Sequence, residues 1–115
     1  MKMVSIRVGI DNFIEILFDN SAREDERDDA AMYLGEYNDD RALKALITMV
    51  LEPHEIEFII IASCGESIAQ IWVNRNYFNL DIYKKMDPVA RREVYGYIAD
   101  AKPEWVRKYN LNELN

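Results

Sequence analysis

Three prolines and four glycines in 115 residues are too few for the many tight turns of a β-sandwich or barrel. The single cysteine, Cys64, excludes an intramolecular disulfide framework and a thiolate zinc cluster, and a reducing compartment is expected. The single histidine, His54, leaves carboxylates as the remaining metal ligands, and the Asp-x-Asp-x-Asp-Gly calcium spacing is missing. Long apolar runs are lacking too. Glu55, Glu57 and Glu66 bracket the greasiest stretch, which falls short of the ~18 residues of a membrane span. Lys2 and Arg7 fall within the first nine residues without an apolar segment or a small-residue cleavage site, so no signal peptide is expected. What is present is a chain 50% apolar and 11% aromatic, the composition of one packed domain over residues 1–115, expected in the cytoplasm.

Charge is unevenly spread. The chain carries 14 basic and 21 acidic side chains, a net of −7. Nine of the acids fall between Asp19 and Asp40, where only Arg23 and Arg27 oppose them. Such a segment repels a phosphate backbone and disfavours direct nucleic-acid binding. It would instead steer a basic partner. The plainer reading is a solvated helix face.

The apolar spacing is helical. Ile10, Phe13, Ile14, Leu17 and Phe18 follow the i, i+3, i+4, i+7, i+8 rule for one helix face. Ser21 with Glu24 has the capping-box spacing that opens a second helix, which becomes apolar at Ala30, Ala31, Tyr33 and Leu34. Residues 35–39 read as a loop. Asp39 or Asp40 caps a third helix with Leu43, Leu46, Ile47, Val50 and Leu51 on one side. Pro53 suits the first turn of a fourth, expected from about His54 to Val73 and apolar on a broad side. Leu80, Tyr83 and Met86 mark a short fifth helix. Asp87-Pro88 opens a sixth, with Ala90, Val94, Tyr97 and Ile98 inward, and Lys102-Pro103 separates it from a last short one around Trp105, Val106 and Tyr109. The first nine residues fit two patterns, since Val4, Ile6 and Val8 alternate as in a strand while Met3, Ile6 and Ile10 fit a helix. The expected fold is all-α, six or seven helices in antiparallel hairpins, with a short N-terminal strand left open.

Little in the chain could carry a reaction. On one helix, His54 and Cys64 would stand about 15 Å apart along the axis, too far for a thiolate–imidazole pair. A strand over 57–62 followed by Gly65-Glu66-Ser67-Ile68-Ala69 would have the layout of a nucleophile elbow with Ser67 as nucleophile. That layout lacks its final glycine, a downstream histidine and the other strands of a sheet. No catalytic residue, cofactor or metal is therefore expected. Tyr33 and Tyr37 stand beside the acidic stretch, where tyrosine gives contact area for little entropy.

Ala30-Ala31-x-Tyr33-Leu34-Gly35, followed by Asp39-Asp40-Arg41-Ala42-Leu43-x-x-Leu46, resembles a HEAT-like repeat, in which small residues let successive hairpins sit close. Ile68 to Trp72 and then Asn79 to Tyr83 echo it at an offset of roughly 37–40 residues, near the HEAT period. With the segment Ser63-Cys64-Gly65-Glu66-Ser67-Ile68-Ala69-x-Ile71-Trp72, this small acidic chain resembles immunity proteins of bacterial polymorphic toxin systems, including contact-dependent growth inhibition. The resemblance implies a protein that covers the active site of a cognate toxin domain, often a basic nuclease, with acids standing in for nucleic-acid phosphates. The residues expected to hold that partner are Glu24, Asp25, Asp28, Asp29, Asp39 and Asp40, with Tyr33 and Tyr37 as anchors. Neither a membrane nor nucleic acid is an expected partner. The alternative is a HEAT-like adaptor or assembly factor, including relatives of bilin-lyase repeat proteins, with no toxin partner.

Overall fold

A computed structural model describes residues 6–52 and 56–114. Among these there is no strand; they form seven α-helices and a closing 3-10 turn: α1 (Ile6–Phe18), α2 (Glu24–Leu34), α3 (Asp40–Leu51), α4 (Phe58–Arg75), α5 (Leu80–Lys85), α6 (Pro88–Ala101), α7 (Pro103–Lys108) and the turn Leu111–Leu114. The all-α expectation holds.

Helix starts follow the short polar residues. The Asp39 carboxylate accepts the Arg41 N–H, Asn79 accepts that of Ile82, and Asp87 accepts that of Val89 ahead of Pro88. Each satisfies an N–H that has no partner within its helix. At α2 the cap sits two residues later than the Ser21–Glu24 spacing predicts. The Glu26 carboxylate accepts the Arg23 N–H at 3.3 Å, while the Ser21 hydroxyl and N–H both donate to Asp19. A local turn thus captures Ser21 before the helix can use it.

Two alternatives left by the sequence are closed and one boundary moves. Residues 6–9 belong to α1, so the alternation at Ile6 and Val8 is not that of a strand; residues 1–5 lie outside the described part. Residues 58–62 are the first turns of α4, which removes the strand of the nucleophile elbow. Helical packing overrides the β-branched preference of this stretch because its apolar side is covered by neighbouring helices. The fourth helix begins at Phe58 rather than near His54, and Pro53 and His54 lie outside the described residues.

The helices pair in sequence, and the second member of each pair builds a continuous layer. α4 packs on both α2 and α6, α1 lies on α2 and touches α3, and α3 lies on α4. The result is elongated, 49 × 29 × 19 Å. Two glycines set the spacing of the layer. A Cβ on Gly35, at the end of α2, would stand 2.6 Å from Ser67 Oγ on α4, and one on Gly65 would stand 2.6 Å from the Ala90 carbonyl on α6. The Gly35 N–H turns to the Met32 carbonyl, and Ser67 Oγ donates at 2.7 Å to the Ala31 carbonyl. Ser67 is therefore a buried contact of the α2–α4 seam. Beyond α4, Phe78 lies at the centre of a ring cluster with Trp72, Tyr83, Trp105 and Tyr109, centroids 4.9 to 5.6 Å away. It fastens the C-terminal helices to the stack.

Candidate partner-binding face

The acidic segment coincides with α2, the turn after it and the start of α3, and the fold divides its carboxylates among three directions. Glu24, Asp25 and Glu26 occupy the first turn of α2, all exposed, where the positive end of the helix dipole favours them. Asp25 is engaged locally: the Arg23 guanidinium donates to it at 3.0 Å and holds its carboxyl below the usual range. Among the described residues Glu24 has no ion pair.

One turn on, Asp28 and Asp29 part company. Asp28 is half-buried and accepts the Ser63 hydroxyl across the α2–α4 seam. Its charge adds to burial in pushing the Cys64 thiol up to about 12. It is a structural carboxylate, turned away from the open face. Asp29 is exposed on the α1 side, where it lines a groove with Asp19, Glu26, Phe13, Ile16 and Tyr33. The groove encloses about 490 Å³. Tyr33 stacks obliquely on Phe13, ring centroids 5.0 Å apart, and remains 47% exposed. Tyr37 is half-buried over the same Phe13 at 6.2 Å, and its hydroxyl lies where a side chain on Gly9 would otherwise stand. Of the two tyrosines, Tyr33 is the open one.

At the α2–α3 turn the acids are engaged. Asp39 caps α3. Desolvation raises its pKa, but the Arg41 N–H at 2.7 Å and the Arg41 guanidinium at 3.3 Å outweigh this and hold it below the usual value. Arg41 also reaches Asp11 on α1 at 2.7 Å. Asp40 pairs with Arg75 of α4 at 2.9 Å, and Arg75 also donates to the Asn38 amide oxygen. These contacts tie the turn to the helices on either side.

The structure thus gathers Asp29 and Tyr33, leaves Glu24 and Asp25 at the neighbouring helix start, and separates off Asp28, Tyr37, Asp39 and Asp40. The groove residues that the sequence reading did not single out are Phe13, Ile16, Asp19 and Glu26. The signal was available in part: 26, 29 and 33 share one side of a helix by their i, i+3, i+7 spacing. Which helix that side would meet was not readable. Asp19 is held ionised by the Ser21 hydroxyl and N–H, which lower its pKa, with the Arg27 charge assisting. An apolar floor ringed by carboxylates suits the aliphatic stem and charged end of a lysine or arginine. Among the described residues no group of three or more His, Cys, Asp or Glu side chains could hold a metal ion, and no helix is long and apolar enough to cross a membrane. No family model, curated protein or solved structure matches the chain.

Proposed function

We propose that this chain is an immunity-type inhibitor, a HEAT-like protein of the cytoplasm that performs no reaction and neutralises a basic toxin domain, a nuclease, by binding it. The observation that carries the reading is the α1–α2 groove, where Asp19, Glu26 and Asp29 surround Phe13, Ile16 and the half-exposed Tyr33. A basic side chain of the partner enters it, its stem against Phe13 and Tyr33 and its charge among the carboxylates. Glu24 and Asp25, one turn away, extend the negative field that brings the partner in. The HEAT-like part of the reading is supported by the close approaches at Gly35 and Gly65, one at each seam of the α2–α4–α6 layer.

Sequencing the neighbouring reading frames for a large protein with a basic C-terminal domain, and co-expressing the chain with that domain, tests the proposal. The chain should restore growth and co-purify with that domain. The double variant Asp29→Lys, Tyr33→Ala should weaken the complex by about tenfold or more while leaving the thermal melt nearly unchanged, since neither side chain is buried. No rescue, or an equally tight complex with the double variant, would overturn the reading. Weak capture of several unrelated proteins with little salt dependence would point to the adaptor instead.

A further inference from the structure

A second cavity lies on the other side of α2, between the end of α1, α3 and the residues leading into α4. It measures about 670 Å³, within the range of small-molecule sites. Phe18, Met49 and Ile56 give it apolar walls, Glu52 stands at its edge, and Arg27 lines it. Arg27 is only 8% exposed, and a guanidinium so enclosed is ordinarily paired, because desolvating a charge is costly. Here its Nε donates to the Leu17 carbonyl at 3.0 Å and the Asp19 carboxylate is near enough to feel its charge, but among the described residues its two terminal nitrogens have neither a hydrogen bond nor an ion pair. Among the described residues no buried side-chain nitrogen or oxygen is both sealed from solvent and unbonded. The terminal nitrogens therefore reach open space, and this cavity is a space that Arg27 lines.

Asn20 and Thr48 complete the lining, and a buried cationic fork in a pocket with apolar walls on part of its surface is complementary to a carboxylate on an apolar body. The bond from Nε to the end of α1 fixes the plane of the guanidinium, which leaves its outer edge for a ligand. The proposed partner-binding reading does not use this cavity, and Arg27 enters that reading only through its charge on Asp19. We infer that the Arg27 cavity is a binding site for a small organic acid, whose carboxylate meets the guanidinium while its hydrocarbon part lies against Phe18, Met49 and Ile56. Glu52 at the edge opposes the ligand's charge and limits affinity.

Hexanoate is the probe, titrated into the full chain while the methyl signals of Met49 and Ile56 are followed by NMR. Saturable shifts of both are expected, with hexanol, matched in length but uncharged, binding about tenfold or more weakly. Glu52→Gln should tighten hexanoate by several-fold and leave hexanol unchanged, a comparison that does not depend on altering Arg27. Arg27→Gln, checked for an intact fold by circular dichroism, should lose the preference for hexanoate over hexanol. Equal binding of acid and alcohol, unsaturable shifts, or the same hexanoate affinity in Glu52→Gln would each overturn the site.

Discussion

At Gly35 and Gly65 a hydrogen stands where a methyl group would strike a neighbouring helix. The atoms met are Ser67 Oγ, Cβ and Cα in the first case and the Ala90 backbone in the second, so relief requires the helices to move apart. Gly35→Ala and Gly65→Ala should each destabilise by about 1–3 kcal/mol in chemical denaturation, the cost of overpacking a tight seam. Gly96 is the control. It is exposed within α6 with nothing within 4 Å of an added Cβ, and Gly96→Ala should stabilise by about 0.5–1 kcal/mol through helix propensity and reduced unfolded-state entropy. Cys64 belongs to the same scale. Fully buried, with its thiol pushed up to about 12, it should resist an aromatic disulfide reagent at mildly alkaline pH in the folded protein and react at once in denaturant.

Between neighbouring elements, polar contacts fix the joints. Asp87 N–H donates to the Val50 carbonyl at 2.8 Å, which joins the start of α6 to α3. Arg75 holds the α2–α3 turn through Asn38 and Asp40, and Asp39 caps α3. Asp39→Ala should cost about 0.5–2 kcal/mol, read from the thermal melt, because an N–H at the start of α3 loses its acceptor. The folded-state pKa values of Asp19, Asp25 and Asp39 all lie below the model-peptide value of 3.8. In the window below that value the unfolded chain binds more protons than the folded one, so stability rises with pH there. The melting temperature should therefore be nearly level above about pH 5 and fall as pH drops through 4 towards the lowered values. Asp39→Asn should fall less steeply over the same range.

Over the whole molecule the excess charge remains acidic at −7, while the internal pairings reduce how much of it is presented. Asp25 and Glu26 share Arg23, Asp39 and Asp40 are each matched by an arginine, and Asp28 by Ser63. Association with a basic partner should accordingly depend most on Asp29, Asp19 and Glu24, which no arginine matches among the described residues. Its rate should fall by about tenfold or more between low and half-molar salt, with a smaller effect on dissociation, in stopped-flow or surface-based kinetics. A rate indifferent to salt would count against an electrostatically guided encounter.

Helix number, most caps and the breaks at Lys102-Pro103 and Asp87-Pro88 were legible because they depend on neighbours within a few residues: a carboxylate beside free N–H groups, a ring without a donor, an apolar side repeating each turn. Ser21 was misread because two partners within reach, the Asp19 carboxylate behind and the N–H groups of the helix start ahead, compete for its hydroxyl on nearly equal local terms; residues 58–62 were legible as helix despite their β-branching, which is a weaker preference than the burial of Ile60 and Ile61. The amino-acid order alone determined that the chain is helical, acidic in its first half and short of reactive groups. Only the packing of α2 against both α1 and α4 decided which carboxylates look outward. Neighbouring positions such as Asp28 and Asp29 project about 100° apart on a helix, and what each one meets is set by helices distant in sequence.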